Sequence, residues 1–140
     1  MTSFPLKIVT LDGLCFDGEA EQVIVRTTVG DMGVLANHLN CVAPLGMGRA
    51  TIVTGGEKRY ASCIGGIIFV LGGEVKLVPT TFEWAEDIDV NRSREVAERA
   101  KKTMADPACT PQQLHNAEAH YKRAQVRLSV AELAKKQTSV

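Results

Sequence analysis

The stretch "DIDVNRS", Asp87–Ser93, stands where one kind of sequence ends and another begins. Before it, short apolar runs alternate with glycine-rich turns. After it no glycine occurs, and Ala, Glu, Arg, Lys and Leu dominate, all strong helix formers. Asp89 is well placed to start that helix. A carboxylate at the N-cap accepts from free backbone N–H groups and faces the positive end of the helix dipole. The period of the apolar pattern therefore changes from two to 3.6 at this point. The expected fold class is α+β: a β-sandwich or barrel over residues 1–84, then a C-terminal antiparallel two-helix hairpin over residues 85–140.

Upstream, "LKIVTL" is followed by Asp12-Gly13, a hairpin dipeptide. "QVIVRT" alternates before Gly30, "RATIVT" and "KRYASCI" flank Gly55-Gly56, and "GIIFVL" and "EVKLVP" flank Gly72-Gly73. Turn signals about every 8–12 residues, with Val, Ile and Thr between them, describe an all-β unit. The Gly-Gly pairs are not phosphate loops, because no G-x-x-x-x-G-K-[ST] occurs and none of them opens a helix. They read as turns and bulges.

Downstream, one helix is expected over about 89–105. "DPACTP" breaks the chain, and Thr110, Pro111 and Gln113 form a capping box that opens a second helix over about 111–136. Leu114, Ala117, Tyr121, Ala124, Leu128 and Ala131 recur at three- and four-residue steps, and Ser93, Ala97, Ala100 and Met104 offer a matching small-residue face. Such a seam permits close helix approach but buries little apolar bulk. It describes an arm that docks conditionally on a stable β unit.

Composition narrows the function. Of the 140 residues, 45% are hydrophobic, so a core is affordable, and only 5% are aromatic, too few for a base-stacking platform. The net charge is zero, which argues against nucleic acid as a partner. The zero hides an asymmetry: residues 1–84 carry six basic against eight acidic side chains, a balance of −2, and residues 85–140 carry ten against eight, a balance of +2. The four cysteines (15, 41, 63 and 109) show no C-x-x-C spacing and no zinc-ligand pattern. "MTSFPLKIV" has neither the basic nor the apolar region of a signal peptide, so free thiols in a reducing compartment are expected. The longest weakly polar run, "CIGGIIFVLGG", falls short of the about 20 residues that span a bilayer.

Chemistry is scarce. His38, His115 and His120 form no ligand pair, no nucleophile motif occurs, and no catalytic or metal-binding residue is assigned. What remains is arginine-rich. Asp89, Arg92 and Arg99 share one side of the first helix, and Arg123 and Arg127 one side of the second. Two readings stay open on spacing alone. Planar guanidiniums can clamp a triphosphate, or Arg92 and Arg99 can pair with Glu95 on the surface, worth about 0–1 kcal/mol each.

The order of these features resembles the epsilon subunit of F-type rotary ATP synthases, over essentially the whole chain. "LKIVTLDGLCFDGEAEQVIV" resembles the opening strands, and "GGEKRYASCIGGIIFV" the central hairpin. "GDMGVLANH" (30–38) resembles the G-E-[LM]-G-x-[LY]-P-x-H loop, with Asp31 for Glu and Ala36 for Pro, and "RLSVAEL" resembles the end of the second helix. The resemblance implies a non-catalytic central-stalk subunit that helps couple proton-driven rotation to ATP synthesis. Its β unit would dock on the gamma subunit and on the c-ring loops, with Asp31 and His38 as c-ring contacts. Extended, the arm would reach the alpha and beta subunits and inhibit ATP hydrolysis. Folded, it would bind ATP as a regulatory ligand, with no obligatory cofactor. The I/L-D-x-x-R-A motif matches Ile88, Asp89 and Arg92, with Ser93 in place of Ala; Glu83, Arg99, Arg123 and Arg127 fall at the other matching positions. The implied location is peripheral, on the cytoplasmic face of a bacterial plasma membrane. The alternative function is a free-standing nucleotide-sensing module.

Overall fold

The computed structural model describes residues 2–138. They form two compact units, one ending at Trp84 and the other beginning at Ala85.

The first unit is built from eight strands: β1 Phe4–Thr10, β2 Gly13–Ala20, β3 Gln22–Thr27, β4 Gly30–Val34, β5 Cys41–Pro44, β6 Met47–Thr54, β7 Glu57–Leu71 and β8 Glu74–Trp84. Hydrogen bonding runs β2-β1-β8-β7-β6-β3-β4, with β5 attached to β7. All pairings are antiparallel except β1 with β8. Period-two alternation places the core. Phe4, Leu6 and Ile8 of β1 point inward with Val23 and Val25 of β3, Ile68 and Val70 of β7, and Val75 and Leu77 of β8. The intervening residues Pro5 and Lys7 are exposed.

Strand β7 makes the sandwich possible. Its first half, Glu57–Ile64, pairs with β6, and its second half, Ile67–Val70, pairs with β5. The change of partner falls at Gly65-Gly66, both at positive φ (69° and 95°). There Gly65 N donates to Gly46 O (3.0 Å), and Leu45 N donates to Gly66 O (2.8 Å). The bend turns one long strand into a member of two layers. Pro79 of β8 stands opposite Gly66, at a point where a missing N–H donor is tolerated.

The end of β8 carries an aromatic cluster. Trp84 meets Phe82 edge-to-face at 5.0 Å and Phe16 at 6.2 Å, and the Arg59 guanidinium lies 3.6 Å over the indole. Its Nε1 donates to Cys15 O at 3.4 Å.

The second unit opens with a short 3₁₀ turn, Ala85–Asp87, followed by helices α1 Val90–Ala105 and α2 Pro111–Thr138. The helices pack on one another. The expected small-residue seam is only partly buried. Ser93, Ala97, Ala100, Ala117 and Ala124 are buried, whereas Met104, Tyr121, Leu128 and Ala131 are half-buried and Leu114 is exposed. Val130, which the three-and-four spacing omitted, is buried at 1% exposure. Among the described residues no helix is long and apolar enough to cross a membrane.

Candidate functional site

The helical unit is set up by its caps. Asp89 adopts extended backbone (φ −81°, ψ 97°), and its Oδ1 accepts from Arg92 N at 3.0 Å. The carboxylate is thus held at the helix start. At the far end Asp106 turns the chain: its Oδ1 accepts from Ala108 N (2.9 Å), and its carbonyl accepts from Cys109 N (3.1 Å). The capping box then forms in both directions. Thr110 N donates to Gln113 Oε1 (3.0 Å), and Gln113 N donates to Thr110 Oγ1 (3.2 Å). These local bonds satisfy helix-end donors that would otherwise lack partners, and so fix where α2 begins.

Between the two helices lies a cleft of about 670 Å³. One wall is the stripe Arg92, Val96, Arg99 and Thr103 of α1; the other is Gln113, Asn116, Ala117 and His120 of α2, with Asp106 and Cys109 at the turn. Arg92, Val96, Arg99 and Thr103 follow steps of three or four, as do Gln113, Asn116 and His120 with Ala117 beside them, so each wall is one face of a helix. The stripe stays regular at Thr103, whose Oγ1 donates to Arg99 O (3.1 Å). Gln112 Nε2 donates to Asn116 Oδ1 (3.2 Å).

The structure brings Arg92 and Arg99 together on this cleft. It does not bring Arg123 and Arg127 into the lining. They are half-buried and continue the α2 stripe three and seven residues beyond His120. Ser93 is buried at 5% exposure and is not part of the cleft lining. Ile88 is buried too, its N donating to Ala85 O at 3.3 Å. Glu83 belongs to the first unit, on β8 opposite Ser62. Gln113, Asn116 and His120 were not singled out as site residues from the sequence. The signal for them is the 113-116-120-123-127 spacing, which the capping role of Gln113 and the lack of a histidine ligand pair leave unmarked.

The second candidate region is the stretch 30–38. From its resemblance this stretch is expected to be a loop; its first half is instead strand β4, hydrogen-bonded to β3. Asp31 stands opposite Arg26 in that ladder and pairs with its Nε at 2.8 Å, both side chains more than half exposed. Alternation along "GDMGV" sends Val34 into the core and leaves Asp31 outside. His38 lies past the other end of β4, in a turn with Asn37 at φ 66°, where its N donates to Leu35 O (3.3 Å) and its Nδ1 lies 2.8 Å from Leu39 O. Asp31 and His38 are therefore separated by the length of β4. Val29, Leu35 and Leu39 are exposed around them.

Comparison with known proteins settles the family. Residues 3–85 match the family model described as "ATP synthase, Delta/Epsilon chain, beta-sandwich domain", and residues 86–132 match "ATP synthase, Delta/Epsilon chain, long alpha-helix domain". The chain belongs to the ATP synthase delta/epsilon family. Bacterial members named ATP synthase epsilon chain are close in sequence. The protein of Bacillus mycoides (strain KBAB4) is 35% identical over 133 residues, covering 95% of this chain and 99% of that one. That of Alkaliphilus oremlandii (strain OhILAs) is 40% identical over 104 residues, 74% and 78% of the two chains.

Solved structures share the fold of this epsilon-type subunit. A chain of the Euglena gracilis mitochondrial ATP synthase (OSCP/F1/c-ring) gives a TM-score of 0.69 at 23% identity, covering 99% of this chain and 82% of that one. A chain of the Tetrahymena thermophila mitochondrial ATP synthase (central stalk/c-ring) gives 0.60 at 12% identity, covering 91% and 95%. The subunit is a non-catalytic chain of an ATP synthase. ATP synthesis and proton transport are activities of the complex it joins.

Proposed function

We propose that this subunit couples rotation to catalysis through its β unit and restrains ATP hydrolysis through its helical hairpin, which binds ATP when folded. The β unit docks on gamma and on the c-ring loops, with the Asp31 and His38 ends of β4 turned to the ring, at the cytoplasmic face of a bacterial plasma membrane. The hairpin, extended, reaches the alpha and beta subunits. The observation that carries the nucleotide part is the cleft with Arg92 and Arg99 on one wall. Its volume is in the range of small-ligand sites. The α1 wall from Arg92 to Thr103 runs roughly 16 Å at the helical rise of ~1.5 Å per residue, long enough for an extended nucleotide. Arg123 and Arg127 continue the cationic stripe, and Ile88 and Asp89 extend the proposed set at the start of α1 beside a tolerated Ser93.

A small-residue seam makes the arm easy to bias. ATP shifts the balance between folded and extended arms only by its preference for the folded one. A difference of about 1.4 kcal/mol changes that ratio tenfold. The test is calorimetric titration of the full chain with ATP, repeated on Arg92→Ala and Arg99→Ala. Each substitution removes charge-assisted hydrogen bonds worth about 1.5–3 kcal/mol, a loss of roughly tenfold to a hundredfold in affinity. A parent chain that binds no ATP at millimolar concentration overturns the nucleotide part. The stalk part is tested separately by reconstitution: removing residues 86–140 is expected to raise ATP hydrolysis by the complex, and an unchanged rate refutes the restraint.

A further inference from the structure

We infer that His120 is a direct ligand contact in the interhelical cleft and makes its affinity for a polyphosphate depend on protonation. This rests on the nucleotide reading above and adds a proton to it. His120 lines the same cleft as Arg92 and Arg99, from the opposite helix, and its side chain is exposed to that space. The other two histidines do not share this position: His115 is absent from the lining, and His38 belongs to the β unit.

The titratable and charged groups around it can be named from every wall. From α1 come Arg92 and Arg99, and from its C-cap Asp106; the turn contributes the Cys109 thiol. On its own helix the neighbours in the lining, Gln113, Asn116 and Ala117, are uncharged, and Arg123 follows one turn on. The two arginines carry a fixed charge at all working pH values. Among the described lining residues His120 is the imidazole, a side chain that becomes a cation by gaining a proton and in that form attracts an anion. An anion seated between Arg99 and His120 favours the imidazolium, which then donates a charge-assisted hydrogen bond. Binding therefore takes up a proton. The cleft with the imidazolium is expected to bind the anion about tenfold more tightly than the cleft with the neutral ring.

The experiment titrates the full chain with ATP at about pH 5.5, 7 and 8.5, comparing parent, His120→Gln, His120→Lys and the control His115→Gln, with circular dichroism to verify each fold. The terminal phosphate of ATP titrates in the same range, so the readout is the ratio of parent to variant affinity at each pH, from which the ligand's own protons cancel. The parent-to-His120→Gln ratio is expected to rise to about tenfold at the acid end and to fall below about twofold at the alkaline end. His120→Lys, a permanent cation, is expected to bind more tightly than parent at the alkaline end, and His115→Gln to follow the parent throughout. ATP binding with a pH-independent ratio overturns the role of His120 and leaves the nucleotide reading standing. An equal loss in His120→Gln and His120→Lys at every pH marks a structural role and also overturns it. A parent chain that binds no ATP at any pH overturns both readings together.

Discussion

Replacing Gly66 by alanine is the severest single test of how the sandwich is made. Gly66 sits at φ +95°, where an L side chain is strained by about 1–3 kcal/mol. A methyl group there would also lie far inside contact distance of the Val78 carbonyl oxygen and 2.6 Å from Pro79 Cα, both backbone atoms that no rotamer change can move. Strands β7 and β8 must part locally to admit it. The bond from Leu45 N to Gly66 O, 2.8 Å long, goes with that movement, a net loss of about 0.5–1.5 kcal/mol. Together these give about 1.5–4.5 kcal/mol, to which the parting of the strands adds, a large share of the ~5–15 kcal/mol that holds a domain folded. Gly72→Ala is the matched control. Its φ is also positive (+58°), but nothing lies within 4 Å of the added methyl, so only the backbone term of about 1–2 kcal/mol remains. Denaturant unfolding followed by tryptophan fluorescence reads the right unit, because Trp84 is the chain's one tryptophan and packs among Phe16, Phe82 and Arg59. A Gly66→Ala loss no larger than that of Gly72→Ala refutes the corner role given to this glycine.

Asp89→Ala removes the side-chain acceptor for Arg92 N and should cost the helical hairpin about 1 kcal/mol, read as earlier loss of helical dichroism on heating. Burial pushes the Cys63 thiol from its ordinary 9.0 up to about 12. Since the thiolate is the nucleophile, Cys63 should resist alkylation at about pH 8 while half-buried Cys15, Cys41 and Cys109 react first. The sign for stability follows: the folded state keeps this thiol protonated where the unfolded chain ionises it, so its contribution is whole below 9.0 and is lost as pH rises toward about 12. Ser62 is fully buried, and its Oγ has no hydrogen-bond partner among the described residues. Ser62→Ala should therefore leave stability unchanged or raise it by up to about 1–3 kcal/mol in the same fluorescence assay; a clear loss would reveal a partner for that hydroxyl.

Much of the fold was legible because its signals are local. The alternation in "FPLKIVT" names Phe4, Leu6 and Ile8 as core, and the Asp89 cap and the Thr110/Gln113 box fix both helix starts. Strand β4 was harder to see. "GDMGV" has two glycines and one strongly apolar residue facing inward, and its ladder to β3 is a nonlocal fact. The helix seam was half right for a related reason: a three-and-four step names a face, but burial depends on what covers that face at each turn, as exposed Leu114 and buried Val130 show.

The sequence by itself determined where the two units divide in character, which residues alternate inward, where each helix is capped and that two arginines share a side of α1. These follow from backbone propensity, side-chain period and hydrogen bonds spanning a few residues. Tertiary structure alone decided that β7 serves two partners by bending at Gly65-Gly66, and that the Arg92–Arg99 wall faces Gln113, Asn116 and His120. Both depend on which distant segments come to lie opposite one another, and that is fixed by packing the whole unit, which no local window of sequence contains.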